Sequence, residues 1–120
     1  MGSLARISLY SLSLLFIIVG ICHFVFVDFF VSIIPPIIPM KIFLVYVTGI
    51  FEWILALLIL KQRYRPQVAW IMMIYLLAIF PANIYMYLHH ELYPMPLFYH
   101  YIRLPLQFIL VWWVYTLRNL

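Results

Sequence analysis

Ile54-Leu-Ala-Leu-Leu-Ile-Leu60, preceded by Thr48-Gly-Ile-Phe-Glu52, decides the fold class. An unbroken apolar run of this kind does not alternate, as a transmembrane β-strand of about 10 residues must. The run extends back to Ile42, close to the roughly 20 residues that cross a bilayer as a helix. In hydrocarbon a helix satisfies every backbone donor and acceptor within itself, so a helix is the required form.

Three more runs of this kind flank it, and the chain reads as helices at about 7–27, 42–60, 68–88 and 101–117. These spans take up nearly all of the 120 residues, so the expectation is a single all-α domain, a transmembrane four-helix bundle. Composition agrees. With 69% hydrophobic and 8% charged residues, the chain lies far outside the ordinary soluble range, and lipid must be its main solvent. The first run is longer than the core of a signal peptide, about 7 to 15 residues, and is read as retained. The net charge of +4 is spread along the chain rather than gathered in a stripe with aromatics, which excludes a nucleic-acid partner.

Charge also gives an orientation. Arg6, Lys61, Arg63, Arg65 and Arg118 fall on one side, whereas Lys41 and Arg103 lie towards the other, with Asp28 and Glu91. Positive residues stay inside, so both termini are expected in the cytoplasm, with the protein multi-pass in a cell membrane of bacterial inner-membrane type. Lys61 to Pro66 reads as a short polar cytoplasmic turn. The Asp28–Lys41 and His89–His100 connections mix prolines with aliphatic and aromatic residues, as segments lying in the outer interface do. Pro81 cannot donate to the carbonyl of Leu77 and is expected to kink the third span.

Glu52 falls near the middle of the second span, where an ionised carboxylate costs about 2.5 to 3.5 kcal/mol on insertion scales. It must be protonated, paired or beside water. His23, Asn83, Arg103 and Gln107 lie in the non-cytoplasmic half. Spacings of three or four place Thr48 with Glu52, Arg103 with Gln107, and Asn83 with Tyr87 and His90 on shared helix faces. Together they outline a polar pocket formed by His23, Glu52, Asn83, Tyr87, Arg103 and Gln107. Arg103 is the expected partner of Glu52, with His23 the next. The alternative is that these groups satisfy one another and only fix helix register.

No metal site is expected, because the adjacent His89 and His90 diverge by about 100° on a helix. Haem would need ligands facing each other across the bundle, such as His23 with His89 or His90. The lone Cys22 excludes an internal disulfide. Most of the 24 aromatic residues implied by a 20% share are belts and packing, with Trp70, Trp112 and Trp113 facing lipid or interface. Trp53, Tyr85 and Tyr87 are the candidate ligand contacts among them. Three glycines supply no Gly-x-x-x-Gly pairing motif.

The ordered strings Gly20-Ile-Cys-His23-Phe24, Asp28-Phe-Phe, Ile34-Pro-Pro, Thr48-Gly-Ile-Phe-Glu52, Phe80-Pro-Ala-Asn-Ile-Tyr-Met-Tyr-Leu-His89 and Arg103-Leu-Pro-Leu-Gln107 resemble the DoxX family of small membrane proteins over nearly the whole chain. That resemblance implies a helical membrane bundle. Its relatives are associated with thiosulfate and quinone oxidation, with redox-defence proteins and with maturation of other proteins. The implied role is a small subunit of a redox-linked membrane assembly that binds an amphipathic ligand such as a quinone, in contact with membrane redox proteins or with further copies of itself. Glu52 would handle protons, and Arg103, His23 and Asn83 would donate to ligand carbonyls. The competing reading is a non-catalytic assembly or chaperone-like factor whose polar cluster is structural. Cys22 stands alone, a departure from thiol-active relatives.

Overall fold

The computed structural model describes residues 2–120, all of whose regular structure is helical. Helix α1 (Ser3–Val25) is followed by a short α2 (Val27–Ile33), then α3 (Lys41–Leu58), α4 (Arg65–Ala78), α5 (Phe80–Leu88), a 3-10 turn at His90–Leu92, and α6 (Leu97–Leu117). The elements form two antiparallel hairpins. One packs α1 on α3; the other packs α4 and α5 on α6, and contacts across the junction between them are sparser.

Local chemistry sets these bounds. The first span stops at Val25 rather than Val27, and Asp28 to Ser32, expected as part of an irregular connection, form α2 instead. That helix ends where Pro35 and Pro36 push the residue before them out of helical geometry. Arg65-Pro66 starts α4 three residues before the expected position, since a proline at the first helical positions forfeits no hydrogen bond. Pro81 does interrupt the third span: α4 ends at Ala78 and α5 starts at Phe80, with the Ala82 amide donating to Ile79 O at 3.1 Å. Helix α6 opens at Leu97, directly after Pro96, rather than at Tyr101.

Among the described residues, α1, α3 and the combined stretch Arg65–Leu88 are long and apolar enough to cross a membrane. Each buries only 28 to 33% of its apolar window inside the protein. Ile74 is 65% exposed, Leu57 61% and Trp112 65%, an apolar surface that water does not tolerate at this density and lipid does. With 21 residues, α6 is long enough, but His100, Arg103, Gln107 and several tyrosines dilute its apolarity.

The first hairpin is held unusually close. A Cβ on Gly49 would lie 2.9 Å from the Cβ of His23 and 3.2 Å from Gly20 O, and one on Gly20 would lie 3.0 Å from Gly49 O. Two glycines on different helices therefore let the backbones approach. Ser13 Oγ donates to Ala56 O at 2.7 Å and the Trp53 indole to Ile17 O at 3.1 Å, so the hairpin is also tied by polar contacts. At the end where α3 turns into α4, Leu9, Leu12, Phe16, Leu55, Ala56, Met72, Met73, Leu76, Val114 and Leu117 make a continuous apolar core. Arg65 closes that end. It is only 2% exposed and donates to Ile59 O at 2.8 Å, to Leu60 O at 3.1 Å and to the backbone oxygen of Leu120. The short polar turn expected at Lys61–Pro66 thus contains one buried cation, which satisfies orphan carbonyls at the ends of α3 and α6.

Candidate functional site

In the other half of the protein the two hairpins do not close on each other, and a cavity of about 450 Å³ lies between them. Its walls come from every helix: Phe16, Val19 and His23 of α1, Phe30 of α2, Thr48 and Glu52 of α3, Tyr75 and Leu76 of α4, Asn83 of α5, and Arg103 and Gln107 of α6. Ile34, Pro35 and Ile38, between α2 and α3, line the end where the first hairpin turns. Most of the lining is aliphatic or aromatic, with the polar groups confined to a few places.

Glu52 is the one carboxyl in that wall and is 4% exposed. The Tyr75 hydroxyl donates to its Oε1 at 2.8 Å. Its Oε2 lies 3.5 Å from His23 Nδ1 but has no hydrogen-bond partner. The same Nδ1 lies 2.8 Å from Val19 O, the contact it makes by donating a proton, so His23 offers Glu52 proximity rather than a well-aligned bond. A Phe30 ring stacked 4.0 Å from the imidazole holds His23 in place. One oxygen of a buried carboxyl in the cavity wall is therefore left without a partner, an arrangement that native interiors seldom leave unsatisfied.

Further round the wall, Asn83 Nδ2 donates to Gln107 Oε1 at 3.1 Å, and Gln107 Nε2 donates to Leu76 O, a carbonyl beside the α4–α5 break. The kink thus has a chemical use: it bends the strip that carries Tyr75, Ile79 and Asn83 and lets a glutamine from α6 reach its backbone.

The expected Glu52–Arg103 pair is not formed. Arg103 donates to the Met86 sulfur and lies 6.0 Å from the Tyr99 ring centre. Gln107 reaches the depth of Leu76, the neighbour of Glu52's partner Tyr75, so Arg103, one helical turn of about 5.4 Å away, sits nearer the end of the bundle that carries the α5–α6 connection. His23, ranked second, is the nearer partner. Of the six residues expected to form the pocket, His23, Glu52, Asn83, Arg103 and Gln107 line it, and Tyr87 does not. Tyr87 instead packs against Tyr101, with ring centres 5.4 Å apart. Trp53 and Tyr85 are also absent from the walls: Trp53 stacks on Phe24 and Tyr85 on His89. Trp113, expected to face lipid or interface, donates to Ser8 Oγ at 2.7 Å. No group of three or more metal-binding side chains occurs among the described residues.

Tyr75 is the site residue that motif reading missed. Its spacing of four to Ile79 and eight to Asn83 placed it on the right stripe, but a tyrosine in an aromatic-rich span does not stand out. Tyr75→Phe is expected to lower stability by about 1–3 kcal/mol, because Glu52 would then be left with two unsatisfied oxygens. Thermal unfolding in detergent measures it, and an unchanged midpoint would mean that water already solvates the carboxyl.

No curated protein and no solved structure matches the chain. A family described as a domain of unknown function, DUF8561, matches residues 12–118, which include every residue of the cavity wall, and the chain belongs to that family.

Proposed function

We propose that the chain is a four-helix transmembrane bundle, with both termini cytoplasmic, that holds an amphipathic small molecule between its two hairpins in the outer half of a cell membrane. The observation that carries this reading is the unpartnered Oε2 of Glu52 at the wall of a largely apolar cavity of about 450 Å³, within the size range of small-molecule sites. An apolar body would fill the aliphatic part, and a polar head would meet Glu52, Asn83 and Arg103. A quinone has this character and is the ligand class implied by the DoxX resemblance. In that role the chain is a small subunit of a redox-linked assembly, with Glu52 as its proton-handling group.

A second reading has an observation in its favour. Asn83 and Gln107 bond to each other and to Leu76 O, so part of the polar set is already satisfied from within. Such pairing suits an assembly or chaperone-like factor with no ligand.

Native mass spectrometry with lipid extraction separates the two, applied to wild type, Glu52→Gln and the cavity-filling Ala82→Phe. The expected result is a co-purifying neutral amphiphile in wild type that both variants lose while remaining folded. Wild type carrying only bulk phospholipid, with variants altered in stability alone, favours the assembly factor.

A further inference from the structure

A second unsatisfied polar side chain lies where the 3-10 turn meets the start of α6. His100 is 1% exposed, yet neither of its ring nitrogens has a hydrogen-bond partner. The His90 ring lies 5.9 Å from it, centre to centre, and the Tyr93 and Tyr99 rings at 6.3 and 5.5 Å wall it in. Arg103, three residues along α6, shares its face, and both Arg103 and His90 are near enough to act on His100 electrostatically.

None of these groups is opposed by an acid. Among the described residues the one carboxylate–cation contact is Glu52 with His23, and Glu91, the acid nearest in sequence, is exposed and unpaired. Arg103 makes do with a thioether and a tyrosine ring, both poor substitutes for an anion. A metal ion is disfavoured here because the guanidinium would repel it. An oxyanion suits all three: it accepts from the guanidinium fork and from both imidazoles, and it turns their mutual repulsion into attraction. The cluster lies around the end of the third long apolar stretch at Leu88, the depth at which a membrane-spanning chain meets lipid head groups.

We propose that Arg103, His100 and His90 form a clamp for an oxyanion, the phosphate or carboxylate of an anionic lipid head group or a free anion of the same chemistry. The clamp does not use Glu52, and it shares only Arg103 with the cavity wall.

Protein in a neutral maltoside detergent, with ¹⁵N-labelled histidine side chains, is titrated with dihexanoyl phosphatidylglycerol, with inorganic phosphate and with the uncharged dihexanoylglycerol. The His100 and His90 resonances are expected to shift with the anionic lipid. Arg103→Gln should weaken that binding roughly tenfold or more, the equivalent of one lost charge-assisted hydrogen bond. His90→Gln, on a short partly exposed turn, is the second variant should Arg103→Gln fold poorly, and it should weaken binding in the same direction. Phosphate acting in the same range as the lipid assigns a free-anion site, and response to the lipid alone assigns a head-group site; either supports the clamp. Equal shifts with the uncharged glycerolipid, unchanged binding in the variants, or no shift with either anion would overturn it.

Discussion

Gly49→Val is expected to destabilise the protein by about 3 kcal/mol or more and, on the proposed ligand reading, to remove binding in the cavity at the same time. Overpacking a tight interior costs about 1–3 kcal/mol even where neighbours can give way. Here the first new atom would lie 2.9 Å from the Cβ of His23 and 3.2 Å from the backbone oxygen of Gly20, neither of which is the free end of a flexible side chain. Helices α1 and α3 must therefore separate, and His23 moves away from Glu52 with them. Gly49→Ala should show a smaller loss. Gly2→Ala, whose new Cβ has nothing within 4 Å, should show none. Thermal unfolding of the three variants in one detergent checks the order; a Gly49→Val midpoint equal to wild type would mean that the helices are not in close contact there.

Arg65→Met should cost at least about 3 kcal/mol, since bonds from a charged donor contribute about 1.5–3 kcal/mol each and three acceptors lose their partner together. Methionine keeps most of the apolar stem, so the loss reports the guanidinium rather than a cavity. Arg65→Lys should recover only part of it, because an ammonium is a point charge and cannot reproduce a fork that spans the ends of two helices. The same unfolding assay decides. A fully stable Arg65→Lys would show that charge at this end suffices without the geometry.

Sequence reading located the long helices but not α2, because apolar length and proline positions act locally, and Pro81 marked the break in the third span. It found five wall residues because ionisable and amide side chains within apolar runs are costly anywhere else. It mispaired Glu52 because pairing depends on the relative depth of helices, which hydropathy within one helix does not report: Arg103 and Gln107 share a face, yet one turn separates Arg103 from the level of Tyr75. Gly20 and Gly49 escaped a search for glycines spaced along one helix, since their relation exists only between helices. Arg65 was read only as part of a short polar turn because nothing in Lys61-Gln-Arg-Tyr-Arg65 distinguishes the arginine that folds inward from Arg63, which stays exposed.

The close approach of α1 and α3 also bears on how the chain is made. Every contact that closes the first hairpin, from Ser13–Ala56 to the two glycines, comes from residues before α3 ends. As translation proceeds, this hairpin can therefore close before the later helices are available, with Glu52 already beside His23. Tyr75 lies on α4, outside that hairpin, so Glu52 gains its one hydrogen bond only when the second hairpin packs against the first.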